Sequence, residues 1–211
     1  MNIFQNKIVW VFFLLALIFD FVIVYILAIF YPKYSHLKSV MSVLGNNKSP
    51  VKNIYNIWLI LLGVILIFMG FSFFIQYKNI SNNLSIVVLT ILVLYGIGGC
   101  ILSGIFPVNE KREIETIHSN IHGISAGIGF MFLAFIPLFI GLLYKAEKEI
   151  ILGNISIIIY IICLGLFVVF IISEKESFQN TIIGYSGLWQ RLLLGSMYIP
   201  LITICIKNIM E

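Results

Sequence analysis

Residues 54–77 read "IYNIWLILLGVILIFMGFSFFIQY" and carry no charged side chain. About 20 such residues, wound as a helix, cross a bilayer core of ~30 Å. In water the many Ile, Val and Phe would favour strands. In lipid every backbone N–H and C=O must be satisfied inside the structure, and a single run this long achieves that as a helix. The stretch is therefore a membrane span, and the rest of the chain follows the same rule.

Working outward, five further apolar runs lie at about 8–31, 85–106, 118–144, 149–172 and 185–206. The 211-residue chain is 61% hydrophobic and 10% charged, with a mean hydropathy of +1.08. A soluble domain carries about 25% charged residues. The expected fold is all-α, a polytopic transmembrane six-helix bundle forming one integral membrane domain over 1–211, placed in the cell membrane. The first run is longer than the ~7–15 apolar residues of a signal peptide, and "AIFYPKYSH" offers no small-residue cleavage site. Cys100, Cys163 and Cys205 lie apart within apolar runs, as packing residues would, not as a disulfide or zinc framework. A net charge of +4 spread over loops gives no support to nucleic-acid binding.

The loops are unequal. "KNISNNL" and "KAEK" are minimal connectors, whereas the first loop, "PKYSHLKSVMSVLGNNKSPVKN", and the third and fifth are longer and polar. These three share one membrane face, and a site outside the lipid belongs there. That face carries Lys33, Lys38, Lys48, Lys52, Lys111, Arg112, Lys175 and Arg191, against Lys7, Lys78, Lys145, Lys148 and Lys207 opposite. The positive-inside rule leans towards a cytoplasmic rich face by a margin too narrow to fix orientation. Trp10, Tyr31, Tyr77, Tyr144 and Tyr185 fall near span ends, where an aromatic belt would place them. Small residues in "YGIGGCILSG" and "HGISAGIG" predict close packing of the third span on the fourth. Pro137 and Pro200 are expected to kink the fourth and sixth.

Several polar residues require a reason. Asp20 lies mid-span, where an acid costs about 2.5–3.5 kcal/mol on the insertion scale. It is a proton carrier, the partner of a buried cation, or an acid bonded to a Ser or Tyr of a neighbouring helix. His118 and His122, four residues apart, share a helix face. They suit acid–base work or hydrogen bonding to a substrate, or, for His118, helix capping. A metal would need a third ligand. His36 is the remaining histidine, so a three-histidine site of His36, His118 and His122 stands as the alternative to no metal at all. Arg191 either snorkels or points inward with Gln190 towards a lipid phosphate or Asp20. No GxxxxGK[ST] or GxSxG pattern occurs, no cofactor is implied, and the halves show no repeat of the kind many transporters carry.

In order along the chain these landmarks resemble the bacterial domain of unknown function 998. The first loop offers Tyr34, Ser35, Ser42, Leu44, Gly45, Pro50 and Asn56. "GIFPVN" offers Gly104, Phe106, Pro107 and Asn109, and "HSNIHGISA" offers His122, with His118 extra. "GLWQR" is similar to the family's glutamine–arginine start of the last span. Asn109 stands where that family has an acid, and Asp20 has no counterpart in the pattern. The family is distantly similar to the DRAM and Frag-type six-span proteins, some of which take part in remodelling glycolipid anchors. The resemblance implies six spans and leaves open whether the protein is an enzyme.

Three functions follow. The first is binding or modification of a lipid or other amphipathic ligand at headgroup depth. His122 and His118 are its acid–base candidates, with His36, Ser42, Asn109, Gln190 and Arg191 its ligand contacts; histidine titrates where such work needs it. The second is a non-enzymatic subunit or sensor whose partner is another membrane protein. The third is a small proton-coupled carrier using Asp20.

Overall fold

The computed structural model describes residues 6–108 and 117–210. Six helices are long and apolar enough to span a membrane: α1 Lys7–Ala28, α2 Lys52–Tyr77, α3 Asn82–Ile105, α4 Ile117–Ala146, α5 Ile150–Ser173 and α6 Ser186–Met210. No strand occurs among the described residues. The chain is an all-α, multi-pass six-helix bundle. Asn6 and Ser81 cap the first and third helices by accepting hydrogen bonds from the N–H groups of Ile8 and Leu84, a common way to satisfy first-turn donors. Large apolar residues such as Ile8, Ile29, Ile151 and Ile161 remain exposed on the outside, where lipid replaces protein as their solvent.

The bundle is assembled by α2 on α3, α1 on α6, and α5 on α6 and the second half of α4. The first half of α4 packs instead on α3. Small residues make that contact: a Cβ on Gly98 would lie 2.7 Å from the carbonyl oxygen of Ser125, and one on Gly129 2.7 Å from the amide of Gly99. Within α3, Tyr95–Leu102 winds as a π-helix. Ser103 Oγ donates to the carbonyl of Gly98 at 3.2 Å, five residues back along that wider turn.

Helix α4 is interrupted by a turn at Ala134 and Phe135, and resumes with Pro137 in its first turn. Proline lacks the N–H to continue the ladder and clashes with the preceding turn. The break separates the half that follows α3 from the half that follows α5. At Pro200 the helix assignment of α6 continues without a break.

Two sequence expectations change. The end-of-span aromatics Trp10, Tyr31, Tyr77 and Tyr144 are buried in the bundle, not displayed as a belt. Tyr77 accepts from Asn208 Nδ2 at 2.6 Å, and Tyr144 donates to Thr203 at 3.1 Å. The first loop, read as a longer polar segment, also buries apolar side chains. A 3₁₀ turn at Met41–Gly45 places Val40, Met41 and Leu44 in the core, so the loop folds down as a plug over one end of the bundle.

Candidate functional site

The parting of α4 from α5 leaves a cavity of about 410 Å³, within the range of roughly 300–1,000 Å³ usual for ligand pockets. Its polar wall comes from five elements: Asp20 on α1, Ser42 in the 3₁₀ turn, Tyr55 on α2, Tyr95 and Ser103 on α3, and Gln190 on α6. His122 on α4 completes it. The opposite wall is apolar, with Phe130 and Met131 of α4 facing Phe167, Phe170 and Ile171 of α5. Met131 is 47% and Ile171 52% exposed, so the outer edge of the cavity meets the surface that lipid covers.

Helical periodicity explains the α4 face. Gly123, Ala126, Gly127, Phe130 and Met131 all line the cavity, spaced at i, i+3, i+4, i+7 and i+8 along one side of a helix. A Cβ on Gly123 or Gly127 would meet nothing within 4 Å. Of the small residues in "HGISAGIG", Ser125 and Gly129 therefore allow α3 to approach, and Gly123, Ala126 and Gly127 line the open space.

Asp20 is 2% exposed. Its two oxygens accept from Trp58 Nε1 at 3.0 Å and from the Tyr198 hydroxyl at 3.2 Å. The acid is thus bonded to aromatic donors of α2 and α6, the tyrosine among them, and not to Arg191. Its carboxylate sits eight residues from the end of α1, about 12 Å below the plugged end at 1.5 Å per residue.

His122 is buried, and its Nδ1 lies 2.9 Å from the carbonyl oxygen of Phe106 and 3.3 Å from that of Ser103. Both are acceptors, so Nδ1 carries the proton and donates; in the neutral ring the lone pair then resides on Nε2. His118 is exposed, tilted against the Phe106 ring at 5.4 Å, and does not line the cavity. His36 is held elsewhere, stacked on Tyr25 at 4.5 Å. Among the described residues no three His, Cys, Asp or Glu side chains gather where an ion could bind, so the three-histidine alternative is not assembled.

Arg191 does not line the cavity. Its Nη1 donates to the carbonyls of His36 at 2.8 Å, Ser39 at 3.2 Å and Gly187 at 2.6 Å. Its Nη2 donates to the Tyr34 hydroxyl and faces His36 Nδ1 at 3.5 Å. Around it, Ser186 Oγ donates to the Lys38 carbonyl at 2.8 Å, and Leu188 N to that of Leu37 at 3.0 Å. Gln190 Oε1 accepts from Met41 N at 2.6 Å. Gly187 is needed here, because a Cβ would run into the backbone of His36 and Ser39. The start of α6 is a clasp that holds the first loop. Burial lowers the pKa of His36, and the Arg191 charge lowers it further. Burial raises that of Tyr34, against the opposing pull of Arg191.

Of the sequence candidates, Asp20, Ser42, His122 and Gln190 meet at the cavity; His36 and Arg191 form the clasp, and His118 stands apart. Asn109 lies outside the described residues. Sequence reading passed over Tyr55, Trp58, Tyr95, Ser103 and Tyr198, because tyrosines, tryptophans and serines are ordinary in a span. For Trp58 and Tyr198 the one signal was that Asp20 needed donors.

Fold and cavity together define a class: a multi-pass membrane protein with a polar-floored cavity open at its side. The family model described as "Protein of unknown function (DUF998)" matches residues 14–207, and the chain belongs to that family. No significant match to a curated protein or to a solved structure was found. The residues that carried the resemblance turn out to be mutual partners. Asn56 Nδ2 donates to the Gly45 carbonyl at 3.2 Å, Gly104 approaches the Asn56 backbone, Phe106 receives His122, and Gly187, Gln190 and Arg191 hold the first loop.

Proposed function

We propose that this protein, resident in the cell membrane, binds an amphipathic molecule in the cavity between α4 and α5. The observation that carries this reading is the division of one cavity into a buried polar floor and an apolar edge facing the lipid. A ligand entering sideways places its polar end against Asp20, Ser103 and His122 and leaves its apolar part between Phe130 and Phe170. Pockets that recognise small molecules combine mostly apolar walls with a few placed polar groups. The plug formed by the first loop closes the polar end from the aqueous side.

The test fills the cavity without touching the packing. Gly127 has open space where a side chain would go and lines the cavity; Gly165 on α5 has the same open space but lies outside it. Native mass spectrometry of protein extracted in neutral detergent should show a bound amphiphile in the wild type and in Gly165→Phe, and its loss in Gly127→Phe. Equal adducts in all three, or none in any, would remove the proposal.

A further inference from the structure

The cavity's charge balance is one-sided. Asp20 lines it and is bonded to two neutral donors, Trp58 and Tyr198. Among the described residues no lysine or arginine lines the cavity, and Arg191 gives its Nη donors to the first loop and to the Gly187 carbonyl. An ionised acid in lipid is costly unless a positive group accompanies it. A carboxylate has about four lone-pair sites, and two hydrogen bonds from Trp58 and Tyr198 do not use all of them.

The remaining walls suit a cation. Tyr55, Tyr95 and Phe130 line the same space, and aromatic faces attract ammonium groups by about 0.5–2 kcal/mol according to how dry the site is. A phosphate would meet the Asp20 carboxylate with no positive side chain among the described lining residues to offset it.

Resting on the reading of the cavity as an amphiphile site, we infer that the polar end of its ligand is an ammonium group, paired with Asp20 and enclosed by Tyr55 and Tyr95. The shared chemistry is a positive nitrogen on an apolar tail. Its source is either a simple long-chain amine or the ethanolamine headgroup of a phospholipid.

The experiment measures binding of radiolabelled dodecylamine, dodecanol and dodecyl phosphate to the full chain in neutral detergent, with dioleoyl phosphatidylethanolamine and phosphatidylglycerol as competitors. Wild-type protein should bind the amine about tenfold or more tightly than the alcohol, and the alkyl phosphate least. Asp20→Asn should weaken the amine about 30-fold or more, as loss of one partner of a buried charge pair does, with dodecanol unchanged within about twofold. Gly127→Phe should abolish both. Competition by the ethanolamine lipid assigns the source to phospholipid; its absence assigns it to free amine.

Equal affinity for amine and alcohol, as a protonated Asp20 would give, overturns the ammonium assignment and leaves the amphiphile site standing. So does tightest binding of the phosphate. Failure of all three ligands to bind wild-type protein overturns the amphiphile site itself. The headgroup preference of the unaltered protein is decisive even if Asp20→Asn does not fold.

Discussion

Arg191 and His36 lie 155 residues apart in the chain, yet the guanidinium of one donates to the carbonyl oxygen of the other at 2.8 Å. The same side chain also grips Ser39, Gly187 and Tyr34. A buried arginine with backbone acceptors is a device for fixing a loop, because five donors in a rigid fork can take several carbonyls at once.

Arg191→Ala is expected to release the first loop while leaving six spans inserted. Hydrogen bonds to charged groups contribute about 1.5–3 kcal/mol each, and their loss is shared with the freed carbonyls, so a destabilisation of about 3 kcal/mol is expected. Trypsin should cut at Lys38 in the variant far faster than in the wild type. Lysine should not restore protection, since a single ammonium does not reproduce the fork. Unaltered cleavage in the alanine variant would mean that the loop is held by other contacts.

Docking of that loop should weaken in acid. His36 has a lowered pKa when docked, chiefly through burial, with the Arg191 charge adding to it. The undocked loop takes up a proton near the ordinary value of 6.5, so it binds more protons than the docked one below that pH, and stability falls as pH falls. The contribution is complete above about pH 6.5 and is lost below it, towards the docked pKa. Hydrogen exchange at 34–41, corrected for intrinsic rates, should rise between pH 7.5 and 5, and His36→Gln should flatten the profile. A flat wild-type profile would contradict the placement of this ring.

Two glycines on one helix should respond oppositely to alanine. At Gly129 the new methyl lies 2.7 Å from the amide nitrogen of Gly99, a backbone contact that cannot swing aside; overpacking of this kind costs about 1–3 kcal/mol. At Gly127 it meets nothing, and the helix gains about 0.5–1 kcal/mol from the better former. Thermal unfolding in detergent should therefore fall for Gly129→Ala and hold or rise for Gly127→Ala. The reverse order would place the cavity on the wrong face of α4.

On the far side, Lys207 pairs with Glu147 at 2.9 Å, both partly exposed, and the ammonium lies 5.7 Å from the Tyr144 ring centre. Glu147→Gln should lower stability by about 1 kcal/mol, a modest value because partial exposure screens the pair. Added salt should narrow the difference between variant and wild type. A salt-independent loss would point to packing instead of charge.

The six helices were legible because lipid leaves long apolar runs one way to satisfy their backbone. What a residue type does not reveal is rotation about the helix axis. Trp10, Tyr77 and Tyr144 have the positions of belt residues and point inward, since each finds packing or a hydrogen-bond partner there. "HGISAGIG" reads as a packing surface throughout, yet Gly129 makes contact and Gly127 opens space, and two residues, about half a turn of helix, separate these roles. Arg191 looked like an anion site because its acceptors are backbone carbonyls, which every loop possesses and no motif advertises. Asp20 announced a need for donors without saying that Trp58 and Tyr198 supply them.

The turn at Ala134 and Phe135 also resolves a question of length. The fourth span has 30 residues, which as a straight rod would reach about 45 Å at 1.5 Å per residue. The hydrocarbon core is about 30 Å thick, and a surplus of that size is ordinarily absorbed by tilt or a kink. Here the helix has a break at 134–135, a joint at which a surplus of that length could change direction, next to the cavity. A change in membrane thickness that bent α4 at this joint would then also change the width of that opening.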